Sequence, residues 1–145
     1  MALDAGGNVF VTGYSSSTNL PGTTGGPQPT PGGAVDGFVA KLNNGLTTLA
    51  QATYLGGSAD DVSYAIAIDE SDTVFVAGYA HSANFPGTSG GMQPAIGGFN
   101  DAFVARLNNG LTTLTQATYL GGNRDDGARA MALDASGNLI VAGYT

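Results

Sequence analysis

The feature that most constrains this chain is an internal 65-residue repeat, the offset that separates Asp36 from Asp101. Asp36–Gly57 reads DGFVAKLNNGLTTLAQATYLGG, and Asp101–Gly122 reads DAFVARLNNGLTTLTQATYLGG, with differences at three positions only. Shorter motifs keep the same offset along the chain: Ala2-Leu3-Asp4, Ala67-Ile68-Asp69 and Ala132-Leu133-Asp134, and Gly13-Tyr14, Gly78-Tyr79 and Gly143-Tyr144. Tandem repeats of this kind build propellers and solenoids, in which each unit buries its faces against neighbouring units.

The repeat predicts strands and no helix. Ten short runs are rich in Val, Ile, Phe, Tyr and Thr, the residues that strands prefer. The runs are Met1–Asp4, Asn8–Tyr14, Phe38–Asn43, Leu49–Leu55, Val62–Asp69, Thr73–Tyr79, Phe103–Asn108, Leu114–Leu120, Ala128–Asp134 and Asn138–Tyr144. Asn44-Gly45 and Asn109-Gly110, each between two of these runs, are strong tight-turn dipeptides. Glu70 is the only glutamate among eleven acidic residues, and the chain has 24 glycines, a composition that suits turn-rich β structure.

Several of these strands are apolar on both faces, which is unlike a sheet with one wet side. Phe38, Ala40 and Leu42 lie on one face of their strand and Val39 lies on the other. We therefore expect small sheets stacked face to face, as in a β-propeller, with four antiparallel strands (a to d) per repeat. The alternatives are a parallel β-helix or another solenoid, with two or three unlike rungs per period, and a sandwich.

A series of short motifs in the repeat resembles a known family. From Leu55 to Asn108 the chain carries LGG, DD, AIAID, VFVAGY, NFP and DAFVARLN in that order, and this series resembles the SBBP family, the bacterial and archaeal β-propeller repeat. The resemblance extends over essentially the whole chain. It implies an extracellular propeller module from a large secreted or cell-surface protein, and it implies no reaction. One departure is Asp72, which stands where the other copies have Gly7 and Gly137, and Asp still tolerates a left-handed turn.

Ten strands do not divide into blades of four. The boundaries predict blade 1 at residues 1–57, blade 2 at 58–122 and a half blade with strands a and b only at 123–145. Because a closed propeller needs about four to eight blades, this is an incomplete ring of about two and a half blades with an exposed edge. We expect copies of the chain or adjoining blades of a longer array to cover that edge, and the isolated chain not to be a stable monomer. Since Met1 aligns with Ile66 and Met131 in mid-repeat, we expect the sequence to be a window of a longer array.

The charge and the hydrophobicity of the chain exclude several classes of binding partner. The net charge is −7, with only four basic residues, so the basic footprint that binds nucleic acid or an anionic membrane surface is missing. No apolar run approaches the roughly 20 residues of a membrane-spanning helix, so membrane insertion is not expected. With no cysteine, disulfide and thiol chemistry are excluded.

Catalysis is poorly supported, and we expect no enzyme. The only histidine, His81, follows strand b, and its counterpart in blade 1 is Ser16. No nucleophile-elbow motif accompanies it, so a loop side chain is the better interpretation than a general base.

Six aspartates give the only candidate site. In antiparallel blades the d–a and b–c connections lie at one rim, and that rim should carry Asp36, Asp60, Asp61, Asp101, Asp125 and Asp126. One interpretation is a calcium site built from these carboxylates and loop carbonyls, because calcium takes six to eight oxygens. The other is that each Asp caps a turn by accepting backbone N–H groups, and neither an EF-hand nor a β-roll pattern is present. No other cofactor is expected.

Two function hypotheses follow. The first is a structural module of a secreted or surface-displayed scaffold, whose role is assembly, filament formation or adhesion. The second is an extracellular module whose loop rim binds a glycan or a surface protein, with or without calcium. The recurrent tyrosines are interpreted as packing between blades rather than as ligand-stacking residues: Tyr14, Tyr54, Tyr79, Tyr119 and Tyr144.

Overall fold

The computed structural model describes all 145 residues, and it is all-β. The ten strands are β1 (Ala2–Leu3), β2 (Val9–Ser15), β3 (Asp36–Leu42), β4 (Leu49–Leu55), β5 (Asp61–Ile68), β6 (Val74–Ala80), β7 (Asp101–Leu107), β8 (Leu114–Leu120), β9 (Gly127–Leu133) and β10 (Leu139–Tyr144). Every strand predicted from the sequence is present, with boundaries shifted by a few residues at most. No helix of the chain could span a membrane.

The strands form three sheets in chain order. β1–β4 make a four-stranded sheet (blade 1), β5–β8 make a second (blade 2), and β9 pairs with β10 alone (the half blade). All pairings are antiparallel, so the parallel β-helix alternative is wrong. The ring is not closed, because the half blade has only two strands.

Equal sequences adopt equal registers. Val11 pairs with Ala40 in blade 1, and Val76 pairs with Ala105 at the same place in blade 2. The register between strands c and d shifts at the same place in both blades, between Lys41 and Leu42 and again between Arg106 and Leu107.

The predicted Asn-Gly turns are present, but glycine is not their left-handed residue. The Leu46 N–H donates to the Asn43 carbonyl at 3.0 Å, so Asn44-Gly45 occupies the centre of the turn. The positive φ falls on the next residue, with 55° at Leu46. The Asn43 side chain accepts the N–H groups of Thr47 and Thr48, which stabilises the connection. Asp72 has φ 60°, as its place in the a–b hairpin predicted.

The core lies between the sheets. Blade 2, with a sheet on either side, contributes the fully buried side chains of Val74, Val76, Phe103 and Leu107. The equivalent strands β2 and β3 of blade 1 are less buried than β6 and β7, and β10 is mostly exposed, whereas β4, which faces blade 2, is more buried than β8. Burial therefore depends on whether a repeat has a neighbour on each face, which is the expected behaviour of stacked repeat units.

Strands a to d are β1–β4 in blade 1 and β5–β8 in blade 2, and the long b–c loops are therefore residues 16–35 and 81–100. These loops cover the outer edge of each complete blade. In blade 1 the Ala52 N–H donates to the Gly22 carbonyl at 2.8 Å, and the Tyr54 N–H donates to the Gln28 carbonyl at 3.0 Å. Blade 2 repeats both bonds, from Ala117 to Gly87 and from Tyr119 to Gln93. Each loop thus takes up backbone groups that an edge strand would otherwise expose.

Candidate functional site

Buried carboxylates pair at the junction between blades 1 and 2. Asp36 opens β3, Asp61 opens β5, and both side chains are fully buried. They flank Gly56: a Cβ built on this glycine would lie 2.9 Å from Asp61 Oδ2 and closer still to Asp36 Oδ1. Both oxygens therefore lie against the same glycine, at a place with no room for a side chain. The fold brings these two carboxylates together because β3 and β5 begin at the same rim.

Asp36 holds the end of the b–c loop through one oxygen only. Its Oδ2 accepts the Gly32 N–H at 2.5 Å, the Gly33 N–H at 3.4 Å and the Gln28 amide at 3.3 Å. Its Oδ1 is buried without a hydrogen-bond donor. Burial raises the pKa of Asp36, the two glycine N–H groups oppose that rise, and the nearby charge of Asp60 adds to it.

Asp61 ties the d–a connection to the loop that follows strand b. Its Oδ2 accepts the Gly57 N–H at 2.6 Å and the Ser82 hydroxyl at 2.7 Å, while Oδ1 accepts the Ser82 N–H at 3.3 Å. Burial raises the pKa of Asp61 despite these bonds, and the charge of Asp36 contributes to the rise. Ser82 is therefore bound to a carboxylate, and it has no hydrogen bond to His81.

A second pair of aspartates lies at the junction between blade 2 and the half blade, and its oxygens have more hydrogen-bond donors. Asp101 and Asp126 flank Gly121, whose added Cβ would lie 2.8 Å from an oxygen of each. Both oxygens of Asp101 have donors, with the Gly97 N–H at 2.8 Å and the Gln93 amide at 2.6 Å on Oδ2, and the Gly98 N–H at 3.0 Å on Oδ1. Bonds from the Thr145 side chain and the Gly122 N–H lower the pKa of Asp126.

The remaining two predicted site residues stay on the surface. Asp60 is exposed, and Asp125 only meets the Asn100 amide at 3.4 Å. No three His, Asp or Glu side chains of the chain lie together in a way that could hold a metal ion. The six aspartates thus form two pairs and two isolated residues, and calcium binding stays a prediction.

A charged contact joins the blades at the opposite rim. Lys41 lies 3.1 Å from Asp4, and the Asn109 amide of the blade 2 c–d turn reaches the same carboxylate at 3.3 Å. Lys41 also donates to the side-chain oxygen of Asn109. Although burial alone would raise it, the pKa of Asp4 is held well below its usual range by hydrogen bonds from Asn8, Lys41 and Asn109. The equivalent pair in blade 2, Asp69 and Arg106, forms no such contact.

The hydroxyl groups of two tyrosines bind loop backbone, a role that was not predicted from the sequence. Tyr54 and Tyr119 are fully buried on their d strands. The Tyr119 hydroxyl accepts the Phe85 N–H at 3.1 Å and donates to the Ser82 carbonyl at 2.5 Å; Tyr54 does the same with Leu20 and Ser17. They attach the b–c loop to its own blade. The signal was the recurrence of both tyrosines at the same place in the repeat.

Blade 2 alone carries an aromatic surface on its loop rim. Phe99 is 72% exposed and meets the His81 ring edge-on at 4.5 Å between centroids. The Nε2 atom of His81 is buried without a partner. A shallow pocket is lined by Ala59, Asp60, His81, Ile96, Gly98 and Phe99. Beside it Arg129 stacks on Tyr64 at 4.2 Å.

The face of blade 2 toward the half blade ends in an apolar groove, lined by Ala102, Leu120, Ala128, Val141 and Tyr144 among others. Leu120 is 43% exposed, whereas its counterpart Leu55 is 1% exposed. The groove therefore lies where a further strand would pack if the half blade were complete.

Antiparallel four-stranded sheets, stacked on one another and built from near-identical repeats, define a protein of the β-propeller repeat class. Residues 52–86 match the model of the SBBP family, described as a beta-propeller repeat, and this confirms the resemblance seen in the sequence. The chain is also similar to the regulatory protein FlaEY of Caulobacter vibrioides, with 31% identity over 107 residues, or 72% of this chain. The matched part of this chain covers 10% of the length of that relative.

Proposed function

We propose that this chain is a structural module of a secreted or cell-surface repeat protein, and that it works by assembling with copies of itself or with adjoining blades. The observation that carries the proposal is the half blade, in which β10 pairs with β9 on one side only. A propeller blade buries its faces only against neighbours, so the outer sheets of this chain favour association.

The two outer sheets of the chain are unlike, which supports a head-to-tail assembly, either open or closed. β1 has two paired residues, Ala2 and Leu3, and β10 has a free outer edge. Two unlike ends produce head-to-tail contacts, which extend into filaments unless their rotation closes a ring. The near-identity of the repeats also fits an assembly role, because an active site usually needs different residues on different blades.

Size-exclusion chromatography with light scattering tests this proposal. We expect species larger than one chain, with a mass that rises with protein concentration, and fibres in negative-stain electron microscopy. A folded species with the mass of one chain over the whole concentration range would overturn the proposal.

A second candidate function is binding of a glycan or a protein at the loop rim. The pocket around His81 and Phe99 favours it, because its residues depart from the repeat: Ser16 and Ala34 stand at their places in blade 1. An exposed aromatic ring beside the Asp60 carboxylate can stack on a sugar face and accept its hydroxyl groups.

A glycan array separates this candidate from the first. Retention of a glycan by the unmodified protein, and its loss in Phe99→Ala, would support a binding module. The matched control is Met92→Ala, since Met92 is equally exposed, at 74%, on the same loop but outside the pocket. Equal retention by both variants would contradict a role for this pocket.

A further inference from the structure

We infer that the pocket around His81 (the His81 pocket) binds an amino sugar, that is, a glycan whose sugar rings carry free ammonium groups. The inference rests on the second candidate function, binding of a glycan at the loop rim, and specifies the class of glycan. The pocket has a volume of about 530 Å³, a size typical of small-molecule sites. It belongs to blade 2, which has a sheet on either side. Its lining residues are Ala59, Asp60, His81, Ile96, Gly98 and Phe99.

The first support is a carboxylate without a counterion. Asp60 is exposed and forms no ion pair, since the single ion pair of the chain joins Lys41 and Asp4. The arginine beside the pocket, Arg129, is stacked on the Tyr64 ring at 4.2 Å instead. An ammonium group bound in the pocket would supply the positive charge that Asp60 lacks.

The groups around Asp60 also decide the sign of the ligand. Burial raises the pKa of Asp36, and the nearby charge of Asp60 adds to the rise, so the two carboxylates act on each other. Asp61, the next residue of the chain, is a third carboxylate at the same junction. Salt screens charges more than about 8 Å apart under physiological conditions, so this local group outweighs the remote basic side chains. It favours a cationic glycan over an anionic one.

The second support is a pair of aromatic rings. Phe99 is 72% exposed, and its ring lies 4.5 Å from that of His81, centroid to centroid, at an interplanar angle of 79°. A free aromatic face attracts an ammonium group and also packs against the apolar face of a sugar ring. Blade 1 has Ser16 and Ala34 at these two places and therefore lacks both rings.

The third support is a buried nitrogen. The His81 backbone N–H donates to the Asp60 carbonyl at 3.1 Å, which holds the two residues together. The Nε2 atom of His81 is buried and has no hydrogen-bond partner, an arrangement that destabilises the protein. A sugar hydroxyl group acts as donor or acceptor, so it would satisfy Nε2 in either tautomer of the ring.

These three features together favour an amino sugar over a lysine side chain from a protein partner. An amino sugar carries an ammonium group, an apolar face and hydroxyl groups on one rigid ring, so it meets Asp60, Phe99 and His81 at once. A lysine side chain brings only the ammonium group, on a flexible stem, and leaves Nε2 of His81 without a partner.

Isothermal titration calorimetry of the 145-residue chain with a glucosamine oligosaccharide tests the inference. The matched ligand is the same oligosaccharide with every amino group acetylated, which keeps the rings and the hydroxyl groups but removes the charge. We expect the glucosamine oligosaccharide to bind at least about tenfold more tightly, and its affinity to fall as the salt concentration is raised.

Three variants locate the binding site. Asp60→Asn should weaken binding of the glucosamine oligosaccharide by about fivefold or more and leave the acetylated ligand unaffected. Phe99→Ala should weaken binding of both ligands. The matched control is Asp125→Asn, which removes the same charge at the equivalent, also exposed position of the next repeat and should change neither affinity.

Equal affinity for the two oligosaccharides would overturn the inference and leave glycan binding at the rim standing. Equal losses in Asp60→Asn and Asp125→Asn would also overturn it, because binding would then depend on net charge alone. Binding of a lysine-rich peptide but of neither oligosaccharide would overturn it in favour of a protein partner. If neither oligosaccharide binds, the inference is refuted, and the glycan array decides the second candidate function separately.

Discussion

Asp36 Oδ1 and Asp61 Oδ2 both lie where a side chain on Gly56 would have to be, and Asp36 Oδ1 has no hydrogen-bond donor. Asp101, the counterpart of Asp36 one repeat later, has donors on both oxygens. The same residue of the repeat therefore lies in two electrostatic environments. Only at the first junction does a buried acceptor oxygen lie near a second carboxylate without a hydrogen-bond donor of its own, a destabilising arrangement.

Replacement of each aspartate by asparagine should consequently have opposite effects. In Asp36→Asn the amide oxygen can still accept the Gly32 N–H, while the new NH2 group takes the place of Oδ1 and points toward Asp61. We expect the free energy of unfolding at pH 7 to be unchanged or increased. In Asp101→Asn an acceptor becomes a donor opposite an existing N–H, so a loss of about 1–3 kcal/mol is expected. Urea unfolding of both variants measures this, and a similar loss in both would contradict the difference between the junctions.

The pH dependence of stability follows from the same carboxylates. Burial raises the folded-state pKa of Asp36 and Asp61 above the unfolded value of about 3.9, so their contribution is complete below that value and is lost as pH rises through the folded pKa. Asp4 and Asp134 have lowered pKa values, so their contribution is present above about pH 3.9 and is lost as pH falls further. Stability should be greatest near pH 4.

Thermal unfolding from pH 2.5 to 7 checks this. The decline above pH 4 should be shallower in Asp36→Asn, and the decline below pH 4 should be shallower in Asp4→Asn. A wild-type midpoint that rises steadily toward pH 7 would show that the buried pair does not titrate in this way.

Removal of a buried tyrosine hydroxyl should loosen one b–c loop. Tyr119→Phe leaves the Phe85 N–H and the Ser82 carbonyl without a partner in a fully buried place, and we expect a loss of about 1–3 kcal/mol. Tyr54→Phe is the matched control and should cost less, because Leu20 and Ser17 in blade 1 are reached by water more easily. Unfolding free energies compare the two, and a larger loss in Tyr54→Phe would contradict the assignment.

Substitution by alanine should destabilise the protein to different extents at two equivalent glycines on the b strands. A Cβ on Gly78 would overlap the Val62 carbonyl oxygen, because β5 bulges between Ser63 and Ala65 and brings its backbone close. Gly13 meets only the Phe38 ring, at 3.1 Å. Gly78→Ala should therefore cost about 3 kcal/mol or more, and Gly13→Ala about 1 kcal/mol or less. Expression and thermal unfolding of both variants check the contrast, which equal losses would refute.

Much of the fold could be predicted from local sequence. The period of the repeat, the apolar runs on both faces and the Asn-Gly dipeptides predicted ten strands in sheets of four, and all ten are present. The left-handed backbone at Asp72 could also be predicted, because glycine stands there in the other copies. These features depend on residues close together in the chain.

The candidate site could be predicted only in part. The shared rim of six aspartates followed from antiparallel connections, but the pairing of Asp36 with Asp61 depends on how two blades meet. Nor could the sequence show that the b–c loops cover β4 and β8, since those bonds join backbone groups that are far apart in the chain, such as Gly22 and Ala52. Identical segments differ in burial because their neighbours differ, and the sequence of one repeat does not show which sheets it packs against.

The clearest measure of that neighbour effect is a pair of identical substitutions. Leu55 is 1% exposed between blades 1 and 2, whereas Leu120 is 43% exposed toward the half blade. Leu55→Ala should remove buried contacts and leave a cavity, at a cost of about 2–4 kcal/mol, while Leu120→Ala should cost less than about 1 kcal/mol in dilute protein. In assembled material the cost of Leu120→Ala should rise toward that of Leu55→Ala, because a neighbouring strand would then bury it. Unfolding followed at low and high protein concentration provides the comparison, and a Leu120→Ala effect that does not change with concentration would count against burial of this face by assembly.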